Sequence, residues 1–174
     1  MTQTMDTTRD TREQNQENDT VVTEIFIAAP RERVFKALID REQALKWGDG
    51  PRFTMTEWEM DSRVGGRWSF VSKDRSNKES AGGMAHHGEI LKLEPPGLLE
   101  YTWHASWHSD LSRTTVVRWD LSAVPGGTQV KVTHSGLAHM PAERKGYAGG
   151  WPGLLAAIKQ FVETGTYGAV SQGK

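Results

Sequence analysis

The stretch GGWPGLLAAIKQFVETG, residues 149–165, determines how the rest of the chain has to be arranged. At about 100° per residue its apolar side chains fall within one arc of about 120°: Trp151, Leu154, Leu155, Ile158, Phe161 and Val162. Pro152 suits a first helical turn, where its missing N–H has no partner to lose, and Gly165 suits a left-handed C-cap. The stretch therefore predicts an amphipathic helix of about 14 residues that needs a broad apolar surface to pack on.

An antiparallel sheet with one apolar face supplies such a surface. In residues 99–105, 117–121 and 130–134, every second side chain lies on a predominantly apolar face: Leu99, Tyr101, Trp103 and Ala105; Val117, Trp119 and Leu121; Val130, Val132 and His134. Successive side chains of a strand point to opposite faces, so this alternation predicts half-buried strands. The long helix is expected to pack on their apolar face.

The order of the predicted elements defines the fold class. We predict strands at Val21–Ile27, Phe53–Met60, Gly66–Lys73, Met84–Leu93, Leu98–Trp107, Thr114–Ala123 and Thr128–Ser135. Two short helices follow the first strand, one from Pro30 to Leu38 and one from the N-cap Asp40 to Trp47. The prediction is an α+β fold, with a curved antiparallel sheet of about six or seven strands wrapped around a long C-terminal helix.

Composition limits the partners and the domain organisation. The 174 residues are enough for one domain with a real core, and 21 basic against 22 acidic residues give a net charge of −1. We therefore predict no nucleic-acid partner. The chain has no apolar run long enough to insert into a membrane and no apolar signal core near its start, so we expect a cytoplasmic protein.

Both ends of the chain are expected to lie outside the domain. Residues 1–19 contain no apolar residue except two methionines, so they cannot offset their ordering entropy by burial. We predict a disordered tail at 1–19, a single domain at 20–166 and a flexible tail at 167–174. Whether the domain is a monomer or pairs into a homodimer through an exposed edge strand is left open.

Several short motifs, in their order and spacing, resemble a known superfamily. They are IFIAAPRERVF at 25–35, DSRVGGRW at 61–68, GEI at 88–90, EPP at 94–96, YTW at 101–103, GT at 127–128, VKVTHSG at 130–136 and GW at 150–151. Over residues 20–165 the chain resembles the SRPBCC superfamily (START-like, Bet v 1-like), and within it the AHSA-type bacterial proteins similar to the chaperone-ATPase activator.

The resemblance implies a helix-grip fold, in which a curved sheet grips the C-terminal helix and a cavity lies between them. Members of the superfamily bind lipids, sterols and polyketides, and some are cyclases or ring hydroxylases. The AHSA-type branch has no shared catalytic residues to transfer, so the resemblance implies the fold and leaves the activity open.

Seven tryptophans are the most unusual feature of the composition. Trp68, Trp103, Trp119 and Trp151 are predicted to face the interior, while the direction of Trp47 and Trp58 is open and Trp107 is placed near a hairpin tip. Either they line a pocket for a flat apolar ligand, oriented by indole N–H groups, or they fill the core. The predicted cavity residues are Trp68, Phe70, His86, Tyr101, Trp103, Trp119, His134, Trp151, Leu155 and Ile158.

The histidines suggest two further kinds of site. Alternation points His86 and His134 inward, where each is either a core imidazole satisfied by a neighbour or a pocket hydrogen-bonding group or general base. His104 and His108 are predicted on the outer face, on condition that their strand continues through Trp107. No zinc spacing and no phosphate-binding loop occurs, so we predict no metal and no cofactor.

Three functions remain open from the sequence. The first is binding of a hydrophobic or aromatic small molecule between sheet and helix, without turnover. The second is a cyclase- or hydrolase-like enzyme that uses a cavity histidine. The third is a chaperone-linked module that docks on a partner protein.

Overall fold

The computed structural model describes residues 18–50, 53–76 and 83–167. In chain order, the elements of this part are β1 (Val21–Ile27), α1 (Arg31–Ile39), α2 (Arg41–Trp47), β2 (Phe53–Met60), β3 (Arg67–Asp74), β4 (Met84–Glu94), β5 (Leu98–Ala105), β6 (Thr115–Val124), β7 (Gly127–Ser135) and α3 (Pro141–Thr164). Residues 1–17 and 168–174, which make up nearly all of the two predicted tails, lie outside the described residues. No helix of the described part is long and apolar enough to span a membrane.

One curled antiparallel sheet holds all seven described strands, in the order β1-β7-β6-β5-β4-β3-β2. The helices α1 and α2 connect its two edge strands, β1 and β2. The helix α3 packs on the concave side and also bonds to β1, because Lys159 Nζ donates to Phe26 O at 2.6 Å. This arrangement confirms the predicted α+β helix-grip fold, with seven strands.

The core lies between the sheet and α3, as the alternation of β5, β6 and β7 predicts. The inward set consists of Leu99, Tyr101, Trp103 and Ala105 on β5, Thr115, Val117, Trp119 and Leu121 on β6, and Thr128, Val130, Val132 and His134 on β7. All of these side chains are buried. From α3, Trp151, Leu155, Ile158 and Phe161 pack against them.

The predicted beginning of the long helix is wrong. The helix α3 has 24 residues and starts at Pro141, so Pro152 lies inside it and not in its first turn. Buried contacts of Glu143 and Tyr147 hold the extra turns against the protein, and tertiary packing overrides the low helix propensity of the glycines that follow. The predicted end is confirmed, because Gly165 adopts φ 73° and donates to Phe161 O at 2.8 Å.

Strand β5 also ends earlier than predicted, at Ala105 instead of Trp107. A turn follows, in which His108 N donates to Ala105 O at 3.2 Å. This turn reverses the expected direction of His108. Its side chain is 5% exposed and faces inward, so the prediction of an outer-face His108 is wrong.

Candidate functional site: an aromatic cavity under the C-terminal helix

A small cavity lies between the sheet and α3, towards α1, α2 and β2. Its volume is about 20 Å³. It is half-enclosed and is lined by Leu38, Trp47, Met55, Trp58, Phe70, Tyr101, Trp103, Trp119, Trp151 and Leu154. None of these ten side chains carries a charge, so the lining is apolar apart from the indole N–H groups and one phenol.

Aromatic rings form a continuous series around the cavity. The ring centroids are 6.1 Å apart for Trp47 and Trp58, 6.0 Å for Trp58 and Phe70, 5.5 Å for Phe70 and Trp103, 5.6 Å for Trp103 and Trp151, and 5.7 Å for Trp151 and Trp119. These separations lie in the range in which aromatic pairs attract each other. The wall therefore offers flat apolar faces to anything that enters.

Four of the five indole N–H groups in the lining are already satisfied by the protein. Trp47 donates to Ala37 O at 2.7 Å, Trp103 to the Tyr147 hydroxyl at 2.9 Å, Trp119 to the Tyr101 hydroxyl at 2.8 Å and Trp151 to His134 Nδ1 at 3.2 Å. The fifth, Trp58 Nε1, is buried and has no hydrogen-bond partner among the described residues. Buried donors are nearly always paired, so this one requires an explanation.

The bonds of His134 identify it as a structural histidine. Its Nδ1 accepts from Trp151, so the proton of the neutral ring is on Nε2, which lies 2.8 Å from Thr115 Oγ1. That hydroxyl in turn donates to Trp103 O at 2.7 Å. Burial lowers the pKa of His134 to about 3, which keeps the ring neutral. With both nitrogens engaged, His134 has no lone pair free to act as a general base.

The second inward histidine, His86, lies behind the cavity wall. Its ring stacks on Phe70 at 4.2 Å, and its Nε2 accepts from Trp107 Nε1 at 3.3 Å. Burial lowers the pKa of His86 to about 4. The ring is thus neutral and supports the wall from outside, and no lining atom belongs to it.

A second set of hydrogen bonds connects the turn after β5 to α3. The Tyr147 hydroxyl accepts from Trp103 and lies 2.6 Å from His108 Nε2, to which it can donate. Glu143 Oε1 accepts from the backbone N–H of Ser109 at 2.7 Å and from its hydroxyl at 2.6 Å. Burial raises the pKa of Tyr147, so the phenol stays protonated. The bond to Tyr147 orients Trp103 in the wall, and the bonds of Glu143 hold the turn against α3.

Five of the ten predicted cavity residues line the cavity: Phe70, Tyr101, Trp103, Trp119 and Trp151. The other five are buried in or behind the adjoining core: Trp68, His86, His134, Leu155 and Ile158. Trp68 packs directly behind the wall, with its ring 4.7 Å from Tyr101 and 4.9 Å from Trp103. That any of the ten binds a ligand stays a prediction.

Five lining residues were not predicted: Leu38, Trp47, Met55, Trp58 and Leu154. For β2 the reason is a β-bulge between Met55 and Glu57, which shifts the register by one residue. The bulge places Met55 and Trp58 on the same buried face although their numbers differ in parity. Leu154 was already part of the apolar stripe of the long helix, and that stripe was the available signal for it.

Side chains that could ligate a metal ion do not cluster in the described ranges. No group of three or more His, Asp or Glu side chains there could hold a metal ion. On the outer face, His87 and His104 lie opposite each other on β4 and β5 with parallel rings 5.1 Å apart. Two imidazoles without a third ligand make an incomplete site.

The sequence and the fold are both similar to known proteins. A family model described as Activator of Hsp90 ATPase homolog 1-like protein matches residues 28–163. A crystal structure of a Chromobacterium violaceum protein matches with a TM-score of 0.71 and 24% identity, covering 83% of this chain and 98% of that one. No curated protein matches the sequence.

Two further structures are similar at slightly higher identity. A Mesorhizobium loti protein matches with a TM-score of 0.67 and 25% identity, covering 82% of this chain and 96% of that one. An AHSA1-like protein from Aeromonas hydrophila, solved by NMR, matches with a TM-score of 0.66 and 25% identity, covering 84% of this chain and 93% of that one. Such likeness supports the fold and leaves the activity to the site itself.

Proposed function

This chain belongs to the family of Activator of Hsp90 ATPase homolog 1-like proteins, and we propose that it binds a flat, hydrophobic small molecule between its sheet and its C-terminal helix, without turnover. The observation that carries the proposal is the lining of the cavity. Five tryptophans, one phenylalanine and one tyrosine surround a single half-enclosed space without any charged side chain. Ligand sites are typically concave and apolar, with few polar groups that fix orientation.

The size of the cavity means that binding requires movement of its wall. A volume of about 20 Å³ holds little more than one water molecule, whereas ligand pockets usually measure a few hundred Å³. On this proposal the described structure is the closed state, in which the aromatic rings occupy most of the site. A ligand would separate rings that now contact each other and replace those contacts with its own.

The helix α3 contains a segment suited to such movement. Trp151 and Leu154 belong to the cavity wall, and between and beside them lie Gly149, Gly150, Pro152 and Gly153. A Cβ added to any of the three glycines would meet no atom within 4 Å, so packing does not require glycine there. Glycine inside a helix costs roughly 0.5–1 kcal/mol relative to alanine.

Pro152 weakens the same segment further, because it has no N–H to donate to the carbonyl of residue 148. Residues 149–153 therefore have the lowest intrinsic helix propensity of α3. We place the hinge of the opening motion here: bending at these residues moves Trp151 away from the sheet. The C-terminal part of the helix stays anchored by Leu155, Ile158 and Phe161 in the core.

Titration with fused-ring hydrocarbons tests the proposal. Fluorene, phenanthrene and anthracene should each quench or shift tryptophan emission, and calorimetry should show saturable binding. Leu154→Trp enlarges a wall residue and should weaken binding by about tenfold or more. Leu111→Trp makes the same change at a side chain that is 66% exposed outside the cavity, and should leave binding unchanged. An absence of saturable binding across the panel would refute the proposal.

A second candidate function is docking on an Hsp90-class chaperone, the partner that the family description names. Two apolar side chains of the loop between β5 and β6 support it: Trp107 is 36% exposed and Leu111 is 66% exposed. Leu111→Asp should then reduce capture of purified Hsp90 and leave fluorene binding intact. If wild-type protein does not associate with Hsp90 at all, this candidate is removed.

A further inference from the structure

Among the hydrogen-bond donors of the cavity-lining side chains, Trp58 Nε1 has no acceptor in the described part of the protein. The side chain is 5% exposed, and its nitrogen is buried without a hydrogen-bond partner among the described residues. The other four lining indoles each donate to a backbone or side-chain acceptor. Among the five lining indoles, the N–H of Trp58 is therefore the one without an acceptor in the described part of the protein.

The surroundings of Trp58 hold the ring in place. Its face stacks on Phe70 at 6.0 Å with an interplanar angle of 24°, and it meets Trp47 edge-on at 6.1 Å and 72°. The β-bulge between Met55 and Glu57 sets the direction of the side chain from the backbone. Two aromatic neighbours and a fixed backbone restrict rotation of the indole. A partner for its N–H is therefore expected to come to the cavity from outside.

We propose that Trp58 Nε1 donates a hydrogen bond to an oxygen acceptor of the bound ligand, and that the ligand class is a neutral, flat aromatic carbonyl compound. This inference rests on the proposed function. An acceptor is required because indole nitrogen is a donor only. Neutrality follows from the lining, which offers no cationic side chain to an anion. Burial of an unpaired carboxylate or phosphate in such a site would be strongly unfavourable.

The matched compounds 9-fluorenone and fluorene test this inference. Both are flat tricycles of nearly equal size, and they differ by a carbonyl group in place of a methylene group. The measured quantity is the ratio of their Kd values, compared between protein variants, because their different solubilities cancel in that comparison. Relative to Trp58→Phe, wild-type protein should favour fluorenone by about fivefold or more, the usual effect of one hydrogen bond to a buried donor.

Trp47→Phe is the matched control variant. It removes the same atoms from the same wall, but its N–H already donates to Ala37 O. The preference for fluorenone should therefore persist in Trp47→Phe and disappear in Trp58→Phe. Equal preference in wild-type and Trp58→Phe protein would overturn the inference while ligand binding itself stands. If neither compound binds to wild-type protein, the proposed function fails and this inference fails with it.

A measurement on wild-type protein alone avoids dependence on the folding of a variant. The carbonyl stretch of 13C-labelled fluorenone moves to lower frequency when its oxygen accepts a hydrogen bond. In the complex we expect a frequency below that of fluorenone in hexane. A bound carbonyl with the hexane frequency would overturn the inference, because no donor would then contact its oxygen.

Discussion

The indole Nε1 of Trp151 donates to Nδ1 of His134 at 3.2 Å, and this bond joins the middle of the C-terminal helix to the last strand of the sheet. The same imidazole continues through Thr115 Oγ1 to the backbone carbonyl of Trp103. Two tryptophans of the cavity wall are thus connected through one neutral histidine. This explains why a histidine is fully buried in the core without being available for catalysis.

We predict that His134→Leu lowers the free energy of unfolding by about 2–4 kcal/mol, because it leaves Trp151 Nε1 without an acceptor and Thr115 with a changed partner. Urea denaturation measures the change. His87→Leu, on the exposed outer face, is the control and should change the free energy by no more than about 0.5 kcal/mol. Equal effects of the two substitutions would show that the His134 bonds contribute little.

Stability should fall as the pH decreases below the ordinary histidine pKa of 6.5. Burial lowers the pKa of His86 to about 4 and of His134 to about 3, so the unfolded chain binds protons that the folded protein does not. As the pH decreases from roughly 6 to 4.5, each of the two histidines therefore lowers the free energy of unfolding by about 1.4 kcal/mol per pH unit.

A single substitution can isolate the contribution of His86 to the dependence of the free energy of unfolding on pH. His86→Phe replaces the imidazole with another ring that can stack on Phe70, and it removes one titrating group. Denaturation midpoints measured at several pH values should therefore show a slope that is smaller by about 1.4 kcal/mol per pH unit in this variant. An unchanged slope would mean that His86 is accessible to protons in the folded protein.

The glycines of α3 provide a test of the hinge. The triple variant Gly149→Ala, Gly150→Ala and Gly153→Ala should raise the free energy of unfolding by roughly 1.5–3 kcal/mol, because each site has space for a Cβ. The same variant should slow association of fluorene, since the stiffer helix opens less often. Stopped-flow tryptophan emission gives that rate. Faster or unchanged association in a stabilised variant would rule out this segment as the hinge.

The two indoles at the outer part of the wall should differ in their effect on stability. Trp47→Phe and Trp58→Phe remove equal volumes from side chains that are each 5% exposed. The substitution Trp47→Phe also removes the hydrogen bond to Ala37 O, whereas Trp58→Phe removes no hydrogen bond of the indole N–H to any described residue. Thermal and urea unfolding should therefore show Trp47→Phe to be less stable by about 1 kcal/mol. The reverse order would indicate that Trp58 Nε1 is paired within the protein.

The sequence predicts those parts of the fold in which a single period holds from end to end. The alternation of β5, β6 and β7 identifies their inward side chains residue by residue, down to His134. Local capping chemistry is equally readable: Asp40 Oδ1 accepts from Gln43 N at 3.0 Å, and Gly165 ends α3 as predicted. These features depend only on residues that are close in the sequence, so the local sequence pattern is enough to predict them.

The rest of the site depends on irregularities and on distant contacts. The bulge in β2 breaks the alternation that would have identified Met55 and Trp58. The turn after Ala105 directs His108 inward to Tyr147, and the buried Glu143 and Tyr147 extend α3 to Pro141. The cavity volume cannot be predicted from the sequence either, because it is the small space left between many side chains whose positions are set by tertiary packing.

The most direct test of ligand binding under α3 is the indole N–H region of the 1H–15N NMR spectrum during titration with 9-fluorenone. The seven tryptophans give seven assignable signals. Binding in the cavity predicts the largest shifts for Trp58 and Trp151, both in its wall, and almost none for Trp107, which lies outside the lining. If the signals of Trp58 and Trp151 do not change at saturating ligand, or if Trp107 alone responds, the compound does not bind under the helix and the central claim is contradicted.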